Sequence, residues 1–223
     1  GQPVDKTKWW MSAQTINAGY DPSSNDITFP AAILQPPFYD PEADLASNYG
    51  AIGYVIGHEI THGFDLQGSQ FDKDGNYSNW WTEEDLTNFQ ALNDEVVAEY
   101  NAFEVLPGVF VDGQLTVTEN VADMGGLQVA HDALMLALQQ SGDPGEIDGF
   151  TQEQRFFIAA AQVWREKARE AYLQTLVQSD EHGPAMARAT IPAENMDAFY
   201  DAFTDIVAGT PEFIAPDDRV VIW

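Results

Sequence analysis

The chain has 223 residues, 44% of them hydrophobic with six Trp and thirteen Phe, enough for one domain with a substantial core and too apolar for a disordered segment. It has no cysteine, which excludes disulfides and thiol catalysis, and no apolar run approaching the roughly 20 residues of a membrane span. With 36 acidic and 9 basic residues the net charge is −27, a surface that repels nucleic acid and anionic lipid and suits salty surroundings.

Residues 1–10 carry neither a basic start nor a hydrophobic signal core, so a soluble chain is expected. The region up to about Leu34 reads as strand-rich. Over 26–34, Ile27, Phe29 and Ile33 alternate weakly, predicting a strand that Pro30 confines to a sheet edge or a bulge. Such an edge can accept an extended peptide by backbone hydrogen bonds, or can be an ordinary edge protected by its proline. Over 45–57 the residues are mostly apolar or small and predict a buried helix, capped by Ser47 or Asn48 and ended with help from Gly63. A turn follows at Asp74-Gly75-Asn76, where exposed carboxylates such as Asp72 and Asp74 offer calcium a foothold or simply face water. Helices are predicted over about 82–102, 118–140, 151–177 and 193–207, with Thr151 and Gln154 forming a capping box. Residues 141–145 (Ser-Gly-Asp-Pro-Gly) read as a loop inside a single domain, 1–223, of α+β class, mainly helical with a small N-terminal sheet.

The buried helix runs into His58-Glu59-Ile60-Thr61-His62. Residues four apart share a helical face, so both imidazoles can converge on one zinc ion while Glu59 stands beside it as a general base. The bland alternative is a helix with two histidines on its polar face. Catalytic zinc takes three protein ligands and leaves a fourth position for water, so a third ligand is needed. On the helix beginning near Thr116 or Thr118, Glu119 and Asp123 fall at i and i+4 among Val121, Met124, Leu127 and Ala130. Buried carboxylates need cationic partners. Glu119 as ligand and Asp123 as acceptor for a ligand histidine's second N–H would satisfy both, although an acidic first turn complementing the helix dipole fits the same residues. His131, two turns beyond Asp123, reads as structural.

Four stretches together resemble the catalytic region of the neprilysin-type zinc peptidases, the M13 family. They are residues 16–20 with 27–38 (INAGY and ITFPAAILQPPF), 55–65 (VIGHEITHGFD), 119–127 (ENVADMGGL), and His182-Gly183-Pro184 followed by Arg188. The resemblance implies a thermolysin-like (gluzincin) fold and a zinc endopeptidase or oligopeptidase that cuts on the amino side of hydrophobic residues. It implies one Zn2+ held by His58, His62 and Glu119, with Glu59 activating a zinc-bound water and Asp123 supporting a ligand histidine. It also implies His182 as stabiliser of the oxyanion, Asn17, Ala18 and Arg188 as holders of the substrate backbone, and Phe38, Val55 and Trp164 as the pocket for the residue after the cut. By residue type alone, His182 is a solvated loop histidine and Arg188 pairs as readily with a neighbouring carboxylate. Family members are much longer, with a helical domain roofing the site, so the expected partners are peptides and a missing N-terminal or roof domain, with no nucleic acid or membrane. A peptide-binding module with little turnover is the alternative if the roof is essential. Animal members have a cysteine shortly before the final Trp, whereas here the end reads Asp218-Arg219-Val220-Val221-Ile222-Trp223, which looks microbial; the lack of cysteine does not decide between cytoplasm and exterior, and a secreted or periplasmic setting is slightly favoured.

Overall fold

The computed structural model describes residues 4–222, so Gly1, Gln2, Pro3 and Trp223, used in the sequence reading of the two ends, lie outside it. Strands β1 (Gly19–Asp21) and β2 (Asp26–Thr28) form an antiparallel hairpin with Gly19 opposite Thr28 and Asp21 opposite Asp26. Asp21 Oδ1 closes its turn by accepting from Ser23 N and Oγ at 2.9 and 2.7 Å. The strand expected over 26–34 stops at Thr28. Pro30, which has no N–H for a ladder, instead begins a single 3-10 turn at Ala31–Ile33.

The helix expected over 45–57 is built in three pieces: α1 (Leu45–Asn48), a wider π turn (Tyr49–Gly53) and α2 (Tyr54–Thr61). Its cap is Asp44, whose carboxylate accepts from Ser47 N, so Ser47 is the third helical residue rather than the cap, and Asn48 bonds Asp40 instead. His62 caps the far end, and Gly63 follows it, its N–H donating to Ile60 O at 3.1 Å.

Helix α3 (Glu83–Asn101) starts at a Thr82–Asp85 capping box and leads into a small hairpin, β3 (Glu104–Leu106) and β4 (Val109–Phe110). Helix α4 (Gly113–Ser141) begins earlier than expected because Asp112 Oδ1 accepts from Gln114 N and Leu115 N at 3.1 and 3.0 Å. Glu119 and Asp123 therefore sit beyond its first turn, and complementing the helix dipole does not account for them.

The helix expected over 151–177 is broken. Helix α5 (Gln152–Val163), with the expected Thr151–Gln154 box, ends at Trp164, and α6 (Glu170–Ser179) follows an extended stretch. Trp164 is held edge-on to Tyr54 and beneath Arg188, a tertiary placement that outweighs local helix preference. Helix α7 (Ala185–Glu194), with Pro192 inside it, escaped the sequence reading, and only α8 (Asp197–Ala202) remains of the helix expected over 193–207. Between them Asn195 caps α7, and its side chain ties the junction to its surroundings: Oδ1 accepts from Val220 N and Nδ2 donates to Glu99.

From Thr116 to Leu127 helix α4 is enclosed on nearly all sides, while beyond Gln128 only the face with Ala130, Leu134 and Leu138 is buried. One core cluster gathers Tyr54, Leu127, Leu134, Phe156 and Phe157 from α2, α4 and α5. The other gathers Val96, Tyr100, Val121, Met124 and Ile191 from α3, α4 and α7. The architecture is α+β and mainly helical, with two two-stranded hairpins among the described residues.

Candidate active site

The site forms where α2 crosses α4. A Cβ on Gly57 would stand 2.3 Å from Gly126 O, and one on Gly126 would stand 2.4 Å from His58 N, so the two backbones touch. This approach sets His58 and His62 against Glu119 and Asp123, four residues chosen by two i, i+4 spacings in separate helices.

Both imidazoles are oriented by carboxylates. His58 Nδ1 donates to Asp123 Oδ1 at 2.8 Å, and His62 Nδ1 donates to Asp65 Oδ2 at 2.6 Å. A carboxylate is acceptor-only, so each Nδ1 carries a proton and each Nε2 faces inward, offering a lone pair whenever its ring is neutral. Asp65, 2% exposed, is fixed in turn by Gln67 N and Gly68 N on its Oδ1 at 2.7 and 2.8 Å. Sequence reasoning gave Asp65 no role, although a carboxylate three residues past His62 was the available signal. Asp123, 1% exposed, also accepts Arg188 Nε at 2.6 Å and Nη2 at 2.8 Å. Burial works against its charge, but Arg188 and His58 overrule that and hold Asp123 far below the usual carboxylate range.

The inward atoms form a triangle: 3.0 Å between the two Nε2 atoms, 3.2 Å from His58 Nε2 to Glu119 Oε2, and 3.7 Å from His62 Nε2 to the same oxygen. Zinc bonded tetrahedrally at about 2.0–2.1 Å needs donor atoms about 3.3 Å apart, the mean of these edges. Glu119 Oε2 is buried without a hydrogen-bond partner, and two imidazole Nε2 atoms facing at 3.0 Å need either a proton or a metal ion between them. The donor set therefore fits zinc. It is the one such His and carboxylate cluster among the described residues. Without the ion, burial opposes charge on His58, but the Asp123 and Glu119 carboxylates raise its pKa to about 9. Burial likewise opposes charge on Glu119, and the surrounding histidines hold it down to about 2.

Glu59 lies in the same cleft, 5% exposed and with no hydrogen bond among the described residues; burial, only partly offset by the two histidines, raises its pKa. His182 is on the loop between α6 and α7. Asp180 Oδ1 accepts from both its N and its Nδ1 at 2.9 Å, which aims Nε2 at Glu119 Oε2, 3.3 Å away. Arg188 is buried, pairs with Asp123 through Nε and Nη2, and lies 3.9 Å over the Trp164 ring. This arginine is thus paired with a neighbouring carboxylate, and it also lines the cleft.

Phe38, Val55 and Trp164 all line the cleft, with Phe38 and Val55 packed on Ala18, Ile33 and Ile52 and Trp164 packed on the Tyr54 cluster. Asn17, exposed, and Ala18, buried, lead into β1 along the wall. All twelve residues singled out from the sequence line this one cleft. His131 does not: it is buried against Phe156 and Phe157, ring centroids 5.4 and 5.9 Å away. The Asp72 carboxylate is taken by its own loop, accepting from Asp74 N, Asn76 N and Asn76 Nδ2.

Comparison with known proteins agrees with this geometry. Residues 17–220 match the model of peptidase family M13. The chain is 43% identical over 222 residues to a neutral endopeptidase of Lactococcus lactis subsp. cremoris, all of this chain but 33% of that protein. It is 38% identical over 226 residues to human membrane metallo-endopeptidase-like 1, all of this chain and 29% of that protein. A crystal structure of Mycobacterium tuberculosis zinc metalloprotease ZMP1 with an inhibitor superposes with a TM-score of 0.94 at 47% identity, covering 100% of this chain and 34% of that one. The chain thus spans about a third of the length of the curated relatives it matches.

Proposed function

For a chain that belongs to peptidase family M13, we propose a zinc-dependent endopeptidase or oligopeptidase that cuts peptides on the amino side of hydrophobic residues. The observation that carries the proposal is the triangle of inward-facing His58 Nε2, His62 Nε2 and Glu119 Oε2 with the buried Glu59 carboxylate in the same cleft. Zinc bound by these three residues would polarise a peptide carbonyl and bring the pKa of a water near neutral. Glu59, desolvated and free of competing hydrogen bonds among the described residues, takes the proton of the attacking water and returns it to the leaving amine. Its raised pKa suits both transfers, since base and acid roles alternate on one group.

In its imidazolium form His182 donates from Nδ1 to Asp180 and from Nε2 to the oxygen that gains negative charge, a contribution typically of about 3 kcal/mol. Arg188 presents Nη1, which makes no hydrogen bond among the described residues, to a substrate carbonyl, while its pairing with Asp123 fixes the guanidinium. Asn17 and Ala18 hold the backbone of an extended peptide along the open edge beside β1. Phe38, Val55 and Trp164 enclose the side chain that follows the cut, and their apolar surface selects hydrophobic residues.

A second reading has one observation behind it. The chain spans a third of its relatives' length, so a cleft that depends on the remainder for its roof would bind zinc and peptide with little turnover. Internally quenched peptides blocked at both ends separate the readings, assayed with this chain and with Glu59→Gln at low and high salt, zinc content checked in each. Turnover by the parent, with a zinc-loaded and inactive Glu59→Gln, supports the endopeptidase. Zinc and peptide binding without turnover supports the binding module, and a chain that takes up no zinc overturns both.

A further inference from the structure

Residue 19 is a glycine, and the space its side chain would fill is already taken. A Cβ there would stand 2.2 Å from Cη2 and 2.6 Å from Cζ2 of Trp10. The segment that carries this indole is tied down on either side. Lys6 Nζ donates to the Ser24 carbonyl in the turn of the β1–β2 hairpin, and Ala13 O accepts from Ala32 N at 3.0 Å. Trp10 is thus laid across the outer wall of the cleft, yet it stays 55% exposed and lines the same cavity as the zinc-ligand triangle.

Its position along the cleft follows from neighbouring contacts. At one end Ala18 packs with Phe38 and Val55, one turn ahead of His58. At the other end the Tyr20 hydroxyl lies near Gly63, just past His62: a Cβ on Gly63 would be 3.4 Å from it. The chain from Ala18 to Tyr20 therefore runs alongside α2 in the same direction, with Gly19 and its indole past Phe38 and Val55.

We propose that Trp10 is a specificity-determining residue: it forms the side wall for the substrate residue on the amino side of the cut and favours a large apolar, above all aromatic, side chain there. This rests on the endopeptidase reading, in which the opposite pocket takes the residue after the cut. Gly19 is the enabling residue, because any side chain at that position would displace the indole. An aromatic face of this kind adds stacking to simple burial, and the energies typical of ring pairs correspond to a preference of roughly tenfold for Phe over Ala.

The test uses the zinc-loaded protein and two series of end-blocked quenched peptides, one varied before the cut (Phe, Leu, Ala) and one varied after it. The parent is expected to favour Phe over Ala before the cut by roughly tenfold in kcat/KM. Trp10→Ala should flatten that ratio and leave the preference after the cut unchanged, and Trp10→Phe should restore part of it. Gly19→Ala keeps the indole but forces it aside, and because Gly19 does not have a left-handed φ the substitution brings no backbone strain. It should reproduce the Trp10→Ala profile. An unchanged ratio before the cut in Trp10→Ala, or equal losses in both series, overturns the proposal. If the parent cuts nothing, the endopeptidase reading fails separately, and Trp10 is then judged by the affinities of parent and Trp10→Ala for the Phe and Ala peptides: lost discrimination supports the wall, and unchanged discrimination overturns it.

Discussion

Gly126→Ala tests whether close backbone contact sets the metal geometry. The added Cβ would lie 2.4 Å from His58 N, 2.7 Å from His58 Cα and 2.9 Å from Gly57 C. Ordinary carbon contacts begin at about 3.5 Å, so the shortfall is about 1 Å, and the obstacle is backbone that no rotamer change can move. Helices α2 and α4 must separate by a comparable distance. Two effects then compete: alanine favours a helix over glycine by about 1 kcal/mol, and overpacking costs about 1–3 kcal/mol, here toward the upper end because both sides of the contact are main chain. A net loss of about 1–2 kcal/mol lowers the melting midpoint of a domain this size by about 2–8 °C. The same separation carries His58 away from Glu119 and Asp123, stretching contacts of 3.2 and 2.8 Å, and zinc affinity should fall by about 10–100-fold. Gly53→Ala is the control, since its nearest neighbours are 3.5–3.8 Å away and only the helix gain remains. Thermal unfolding of the zinc-free proteins and chelator competition for zinc measure both effects. A Gly126→Ala protein that melts with the parent and holds zinc as tightly refutes the reasoning.

Three further outcomes are expected. Asp123→Asn strips His58 and Arg188 of their shared buried anion, so it should cost about 3–5 kcal/mol of stability by denaturant titration and weaken zinc binding about tenfold or more. Because burial of His58 is outweighed by Asp123 and Glu119 and its pKa is raised to about 9, zinc must displace a proton; affinity in chelator competition should rise about tenfold per pH unit between pH 7 and 8.5, and a flat profile would contradict this. Burial and the carboxylates of Glu99 and Glu212 push Glu194 up to about 7. The unfolded chain releases that proton first, near pH 4.5, so stability falls as pH rises from there to 7; Glu194→Gln should raise the melting midpoint at pH 8 and leave it unchanged near pH 4, and equal shifts at both would refute the assignment.

The site was legible in the sequence because its chemistry is written in short helical spacings. His58 and His62, then Glu119 and Asp123, each share a face by being four apart, and one crossing of two helices brings the pairs together. Their costs when buried alone made a shared ion the economical inference. Much of the fold was less legible, for identifiable reasons. In a chain with 36 acidic residues an aspartate draws no notice, yet Asp44 caps α1, which leads through the π turn into α2, and Asp112 caps α4, where Ser47, Asn48, Thr116 and Thr118 looked better suited. Asp65 was hidden in the same way, three residues from the histidine it orients.

The break at Trp164 had no glycine or proline to announce it, and Pro192 argued against a helix that nevertheless forms. In both places a tertiary demand decided the matter, and both demands lead back to Arg188. Trp164 leaves α5 to lie under the guanidinium, and α7 forms because it must carry Arg188 to Asp123. Asp123 in turn orients His58. The elements that were hardest to foresee are thus tied to the candidate zinc site through one continuous chain of contacts, from Trp164 through Arg188 and Asp123 to the His58 imidazole. A perturbation of Trp164 should therefore be felt at the ligand as well as at the pocket, a coupling that no local reading of either helix contains.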